Sequence, residues 1–464
     1  MQVFSLIISP NDRSRKRAGA EATDREVGGR GNIGIEEFGE CMKNFDKFLQ
    51  DLKTLISFES VSGKSSDGAP FGKETKRALD WFLNKAESFG FKTINYDGYA
   101  GEIDFGEGEE LGIIGHLDVV PAGFGWNTPP FLLTEKNGVL YGRGLGDDKA
   151  PMLVILYVLK ELKDEGILPE RKFRLFVGCD EEVGWRDLKK LKSMTVMPEY
   201  GFSPDGNFPV SYAEKGIYVI KFFLPQFKNH SNIKGGTVIN AVCDRASVKP
   251  SYYPDMNALN KYSLTFENGE IVSVGKSAHG SKPELGINAI KPLLNYLAEN
   301  GEDTACAVEC LFDDKYGLTL KENEQGRITL SPDLIYEDGG NVVIECDCRV
   351  PAPFTFETVK EAVDKFSIPY EVTERHLPQM VGKDSFLIKK LLSSYEEVVG
   401  KSGEPISQSG STFARAFEKG VAFGPEFENK SASIHEANEH VSKDDLFTLF
   451  EIYKRALTTL SFKE

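Results

Sequence analysis

Several signatures are missing from this chain, and each absence closes off a class of function. The 464 residues contain no Cys-x-x-Cys pair. Their seven cysteines, Cys41, Cys179, Cys243, Cys306, Cys310, Cys346 and Cys348, are odd in number and scattered, which excludes a zinc ribbon and a thioredoxin-type redox motif. Cys346 and Cys348 alternate like strand residues and are expected to be buried thiols. A reducing compartment suits such a set, so a cytoplasmic location is expected. Positive charge is in deficit, with 55 Lys and Arg against 71 Asp and Glu, a formal net charge of −16. Neither nucleic acid nor an anionic membrane is therefore an expected partner, since both need a basic surface. No apolar run approaches transmembrane length. The apolar stretch at residues 3–8 is too short for a signal sequence and has no positive segment before it. No internal repeat stands out. What remains is an ordinary globular composition, 40% hydrophobic and 27% charged, in a chain long enough for about three domains.

Residues 1–35 carry Arg13, Arg15, Lys16, Arg17 and then Gly28, Gly29 and Gly31 with little periodic apolar character, and a disordered or loosely attached extension is expected there. Helical spacing begins after Phe38 with Phe45, Phe48, Leu49, Leu52, Leu55 and Ile56. A second helix carries Ala78, Leu79, Phe82, Ala86 and Phe89, with Gly90 placed to stop it. Strands are expected at 92–96 and 102–105, and then at the buried run Ile113 to Val120, bounded by Pro121. If that run stays extended, His116 and Asp118, two apart, share one face. A strand at 139–141 follows, then a helix with Pro151 in its first turn and Met152, Ile155, Leu156, Leu159 and Leu162 on one side. A further strand at 173–178 runs into Cys179-Asp180-Glu181-Glu182. Strand, helix and strand with acids at the strand ends predict an α/β sheet with its site at the carboxyl edge.

The texture changes near residue 216. Alternating segments at 217–223, 263–266, 271–274 and 342–348, with a helix near 289–297, predict a second α+β unit spanning 216–376, inserted into a first made of 36–215 and 377–464. Helical patterns return after Phe386 and again from Leu446 to Leu460. The expected fold class is α/β: a mixed, mostly parallel sheet flanked by helices, plus the inserted α+β domain.

Outside the insert, the polar residues at strand ends are His116, Asp118, Asp147, Glu181, Glu182, Asp205 and, late in the chain, His435. Taken singly they have ordinary readings: a loop cap for the His116–Asp118 pair, a helix N-cap for Asp147, a solvated turn for the glutamates and a loop histidine for His435. Taken together, two histidines and several carboxylates form a ligand set suited to two divalent ions such as Zn²⁺. Like charges gathered in a buried place need cations or protons to coexist. His230, His376 and His440 match no ligand pattern.

The stretches GHLDVVPAG, YGRGLGDDKAP, CDEEVGW, GFSPDGNFPV, SAHGSKPELGINA and IHEANEH resemble, in order and spacing, the M20 metallopeptidases and within them the PepV-like and carnosinase-like dipeptidases. Their span covers nearly everything from about residue 36 onward. The resemblance implies that Asp147 bridges two Zn²⁺ ions, with Mn²⁺ or Co²⁺ as substitutes. His116 and Asp205 would complete one ligand set, and Glu182 and His435 the other. Glu181 resembles the general base and Asp118 the partner of His116, and the Asp147-Asp148 peptide is expected to be cis. In the insert, which resembles a lid, His279 would stabilise the transition state with Asn240 beside it, and Arg349 would grip the terminal carboxylate of a small peptide. Ser411, Thr412 and Arg415 fall in what resembles a substrate loop, although Ser411 stands where relatives carry a glycine. A long lid implies a catalytically self-sufficient monomer, with a dimer as the alternative. Two competing readings share the motifs, an N-acyl amino acid deacylase and a metal-dependent peptide-binding protein without turnover.

Overall fold

A computed structural model describes residues 45 to 463, apart from 429, 431 and 432; the expected extension at 1–35 lies outside the described residues. The first unit opens with two amphipathic helices. In α1 (Phe45–Ile56), Phe48, Leu52, Leu55 and Ile56 are buried, and in α2 (Lys73–Ser88) Ala78, Leu79, Phe82, Leu83 and Ala86 are buried. The chain then forms β1 (Lys92–Tyr96), β2 (Ala100–Phe105), β3 (Glu109–His116), α3 (Lys149–Asp164), β4 (Arg171–Gly178), α4 (Arg186–Met194), β5 (Tyr200–Ser203) and β6 (Ser211–Glu214). Helix α3 is apolar nearly all round and buried over most of its length, as a helix enclosed by its neighbours should be.

From Gly216 the chain leaves this unit and builds another sheet from β7 (Gly216–Pro225), β8 (His230–Gly235), β9 (Arg245–Pro250), β10 (Thr265–Glu267), β11 (Glu270–Val274), β12 (Thr329–Asp338), β13 (Asn341–Val350) and β14 (Tyr370–His376), with α5 (Ile290–Glu299) contributing to its core. The order is β10-β11-β9-β8-β12-β13-β7-β14, antiparallel throughout. Cys346 and Cys348 are buried in β13. The chain returns through β15 (Gln379–Met380), α6 (Phe386–Val399), β16 (Ile406–Gln408), β17 (Lys419–Ala422) and α7 (Lys443–Ser461). Ser385 caps α6, accepting from the Ile388 amide at 3.3 Å, and Gly400 ends it in the left-handed region at φ 71°.

Among the described residues, nine strands make the main sheet, in the order β1-β2-β4-β3-β5-β17-β6-β15 with β16 beside β6. Its centre, β4, β3, β5 and β17, is parallel, and antiparallel pairs flank it on both sides. The carboxyl ends of β3, β4 and β5 therefore point the same way. Among the described residues the inserted sheet is backed by a core from 218–368, and the main sheet by a large core from residues 48–213 and 381–460 and a smaller one that includes Ile114, Phe176, Phe413 and Phe417. No helix among the described residues is long and apolar enough to cross a membrane.

One local expectation needs correction. Strand β3 ends at His116 rather than continuing to Val120. Its ladder with β4 runs out at Gly178, and beyond it the Leu117 amide donates to the Gly178 carbonyl while Val119 turns aside to Ser60. Asp118 consequently sits on a loop, and its closeness to His116 comes from that turn, not from strand alternation.

Candidate metal centre and active site

Each parallel strand delivers polar residues at its carboxyl end. His116 ends β3, Asp180-Glu181-Glu182 follow β4, and Asp205 follows β5. Asp147 arrives from the loop before α3, and His435 from the loop before the short strand His440–Ser442 that pairs with Val139–Tyr141. These residues meet as two triads sharing one member: His116, Asp147 and Asp205 present ligand atoms within 4.8 Å of one another, as do Asp147, Glu182 and His435.

Asp147 divides its two oxygens between the triads. Its Oδ1 lies 2.9 Å from His116 Nε2, and its Oδ2 lies 2.9 Å from His435 Nε2. His435 Nε2 is also 3.1 Å from Glu182 Oε2, and His116 Nε2 is 3.8 Å from Asp205 Oδ2. His116 is fully buried, and its Nδ1–H donates to the Asp118 carbonyl oxygen at 3.0 Å, a group that can only accept. That bond leaves the lone pair on Nε2, the ligand-competent arrangement. Among the described residues neither His116 Nε2 nor Asp147 Oδ1 makes a hydrogen bond, although both are buried. Two buried acceptors facing each other without a proton donor between them is the geometry a cation would complete, so the donor set fits a metal centre.

The electrostatics agree. Burial and the charge of Asp147 push Asp205 up to about 8, and burial raises Glu182. Glu181 is driven well above the usual carboxylate range by desolvation, then by Asp205 and Glu182. Hydrogen bonds to Asp147 and Glu182 raise His435 to about 11. Positive charge placed among these groups would relieve the repulsion that holds the acids up.

The carboxylate of Asp118 does something the sequence did not disclose. Its Oδ1 is 3.4 Å from His116 Nδ1, while Oδ1 and Oδ2 accept the amides of Glu181 and Glu182 at 3.2 and 3.1 Å. A single fully buried side chain thus orients one candidate ligand and fixes the turn that aims the two glutamates. Gly115 is required beside it, because a Cβ there would run into the Asp148 carboxylate that accepts from the His116 amide. The Asp147-Asp148 peptide is cis.

Sequence reasoning passed over Glu439. This buried carboxylate accepts from the amides of Gly144, Gly146 and Asp147 and from Arg143 Nη1 at 2.8 Å, and so holds the loop that presents Asp147. Arg143 in turn reaches the carbonyls of Pro121 and Ala122 and stacks on Trp126, tying three loops together. The only available signal was the position of Glu439 inside IHEANEH, and a glutamate in a polar loop reads as solvated.

Residues of the inserted unit lie near the candidate ligands, close enough for the charge of His435 to act on His279. His279 Nδ1 accepts from the Ser281 amide at 3.1 Å, which puts the ring proton on Nε2. Desolvation, the Arg349 charge and, from the main unit, His435 hold His279 below the usual histidine value, so it is neutral at pH 7. Asn240 sits at φ 78°, its amide bound to Asp333 and its carbonyl to the Gly280 amide at 2.6 Å. Gly280 is needed there, since a Cβ would press on Asn240 and Asp347. Arg349 is buried, donating from Nε and Nη2 to Asp347 and from Nη1 to the Ser409 carbonyl at 3.0 Å.

The donors of the loop at 411–415 are engaged by the protein itself. Thr412 gives its hydroxyl and amide to Glu214 at 2.6 and 3.2 Å, and Arg415 donates to Glu214 and to the carbonyls of Lys215 and Leu377. These donors face the chain crossings between the units. Ser411 Oγ is buried and makes no hydrogen bond among the described residues. Of the other histidines, His230 pairs with Glu302, His440 donates to the Asn438 carbonyl, and His376 lies edge-on to Trp185.

Residues 112–459 match the profile described as Peptidase family M20/M25/M40. The chain belongs to this family. A β-Ala-Xaa dipeptidase from Lactobacillus delbrueckii subsp. lactis is 31% identical to this M20 chain over 478 residues, covering 93% of it and 99% of the relative. Human carnosine dipeptidase 1 shares its fold with a TM-score of 0.56 at 16% identity, covering 91% of this chain and 98% of that one. The dipeptidase Dug1p from Saccharomyces cerevisiae does so with a TM-score of 0.58 at 15% identity, covering 91% and 98%.

Proposed function

We propose that this M20 chain is a dinuclear metal-dependent dipeptidase, with two Zn²⁺ ions (or Mn²⁺ or Co²⁺) held by His116, Asp147 and Asp205 on one side and by Asp147, Glu182 and His435 on the other. The observation that carries the reading is the pair of triads sharing Asp147, with its two oxygens turned to two different histidines. Divalent ions at such a centre supply Lewis acidity toward water and toward the scissile carbonyl.

The chain's own groups do the rest. Glu181, tethered through its amide to Asp118 but with a carboxylate raised by desolvation, takes a proton from the attacking water onto a carboxylate oxygen and passes it to the leaving amine. Neutral His279 offers Nε2–H to the developing oxyanion, with Asn240 beside it. Arg349 keeps one N–H on each Nη beyond those given to Asp347 and Ser409, a fork for the substrate's free carboxylate. Ser411 lies near this fork in sequence, next to the Ser409 carbonyl that Arg349 holds.

The long sequence match to a β-Ala-Xaa dipeptidase favours an unblocked dipeptide as substrate. Free buried thiols suit a reducing cytoplasm. The deciding assay compares β-alanyl and α-aminoacyl dipeptides with N-acetyl amino acids on zinc-loaded protein. Faster turnover of the dipeptides is expected; faster release of acetate would replace this reading with deacylation, and no turnover of either would favour binding without catalysis.

A further inference from the structure

The inserted sheet is joined to the main one by two chain crossings only, at Lys215 and at Leu377, between β6 and β7 and between β14 and β15. A single guanidinium holds both. Arg415 donates from Nη2 to the Lys215 carbonyl at 2.7 Å and from Nη1 to the Leu377 carbonyl, while its Nε is paired with Glu214 at 2.7 Å. Glu214 is 3% exposed and accepts three further donors, Gln408 Nε2, the Thr412 amide and the Thr412 hydroxyl. Lys215 adds its own amide bond to the Gln408 carbonyl and sends Nζ to the Arg327 carbonyl inside the insert.

The same loop reaches the chemistry on both sides. Its Ser409 carbonyl receives Arg349 from the insert at 3.0 Å. Its Phe413 ring stands edge-on to the ring of His116, with centroids 6.2 Å apart, and 5.3 Å from Trp185, which in turn meets His376 at the end of β14. One segment of eight residues, 408–415, therefore touches both crossings, the arginine of the insert and a candidate metal ligand of the main sheet. Buried groups satisfied this fully resist being moved singly, because removing one partner strands the others.

We propose that the Glu214–Arg415 pair is the pivot of the inserted unit, a pair of positioning residues that sets where His279 and Arg349 stand over the metal centre. Arg415 touches no substrate in this assignment. It fixes the carbonyls at both crossings and thereby the angle between the two sheets. The inference rests on the dipeptidase reading for its kinetic readout, but not for its structural one.

The test uses the full-length zinc-loaded protein with Arg415→Met, Arg415→Lys and Glu214→Gln. For each variant, bound zinc, kcat and KM are measured on a dipeptide and on its C-terminal amide, and hydrogen–deuterium exchange is followed in peptides covering 211–219 and 374–382. For Arg415→Met the expectation is unchanged zinc and a kcat lowered about 10–100-fold on both substrates, since misplacing His279 by about 1 Å costs this much, with a rise in KM on the free-carboxylate dipeptide as Arg349 shifts. Faster exchange at both crossings should accompany it, and Arg415→Lys should recover part of kcat because an ammonium still reaches a carbonyl. A loss confined to the free-carboxylate substrate would overturn the proposal and make Arg415 a substrate ligand. Loss of zinc in step with kcat would overturn it in favour of a prop for His116. Unchanged kcat and exchange would also overturn it. If Arg415→Met fails to fold, Glu214→Gln, which keeps the shape of the cluster, decides by the same criteria. If the wild-type chain cleaves no dipeptide, the dipeptidase reading fails, while exchange at the two crossings still decides the pivot.

Discussion

The site-facing ends of the two units differ in electrostatic state. At the carboxyl edge of the main sheet, acids outnumber the histidines that could balance them: Asp205 and Glu181 are held far above the ordinary carboxylate range, and His116 Nε2 and Asp147 Oδ1 are buried without a hydrogen bond among the described residues. In the inserted sheet the groups nearest the site already have partners. Arg349 is paired with Asp347, the Asn240 amide binds Asp333, and His279 is neutral with its proton fixed on Nε2. The first region has the donor set a cation could complete; the second already holds its groups through bonds of its own. A site divided this way separates metal affinity from substrate alignment, so changes on one side should leave the other's readout intact.

The largest effect should come from Asp147→Asn, which removes charge from both triads at once. Both ions should be lost, and turnover should fall by about 10⁴-fold or more, as when the group that activates a reaction is removed outright. Metal analysis showing one ion retained at full affinity would mean that the triads are independent. Glu181→Gln should keep both ions and lower kcat about 10²–10⁴-fold. His279→Gln should likewise keep both ions and lower kcat about 10²–10³-fold, the usual cost of losing one oxyanion donor; zinc loss in this variant would erase the division between the sheets.

Smaller effects test the supports. Glu439→Gln leaves Arg143 buried without its anionic partner and loosens the loop before Asp147. It should weaken zinc affinity about 10–100-fold and lower the melting temperature, with KM for the dipeptide nearly unchanged. The smallest effect is a pH trend in chelated protein. Asp205, at about 8 in the folded state, and His435, at about 11, are both raised above their ordinary values. Folded protein thus binds more protons than unfolded protein across this interval, so their contribution to stability is present in acid and is lost as pH rises, for Asp205 from about 4 to 8 and for His435 from about 6.5 to 11. Melting of the chelated protein should fall between pH 6 and 9, and zinc should reverse the fall, releasing protons as it binds.

How much of this was legible beforehand differs by residue. His116, Asp147, Glu182, Asp205 and His435 could be collected from the sequence because each stands at the end of an apolar run or in a polar motif, and parallel strands carry such ends to one edge. Asp118 was noticed for an incorrect reason, strand alternation, where a turn brings it back to His116. Glu439 was missed because nothing local distinguishes a glutamate that accepts three loop amides from one in water. Arg415 and Thr412 are expected at substrate because their loop resembles one that binds it, and their bonds to Glu214 were not legible, since a guanidinium looks the same in sequence whichever acceptor it meets.

By itself the sequence determined the periodicities, and with them the two sheets, the inserted segment and seven polar residues at strand ends, among which the family resemblance singled out five as candidate ligands. Those follow from short-range rules, in which burial alternates every two or 3.6 residues and strand ends recur in order. Tertiary structure alone decided which polar atom meets which. Arg415 and Glu214 are 201 positions apart, and Glu439 lies 292 from the Asp147 amide it holds. A hydrogen bond acts over about 3 Å, a distance that the order of residues along a folded chain does not encode.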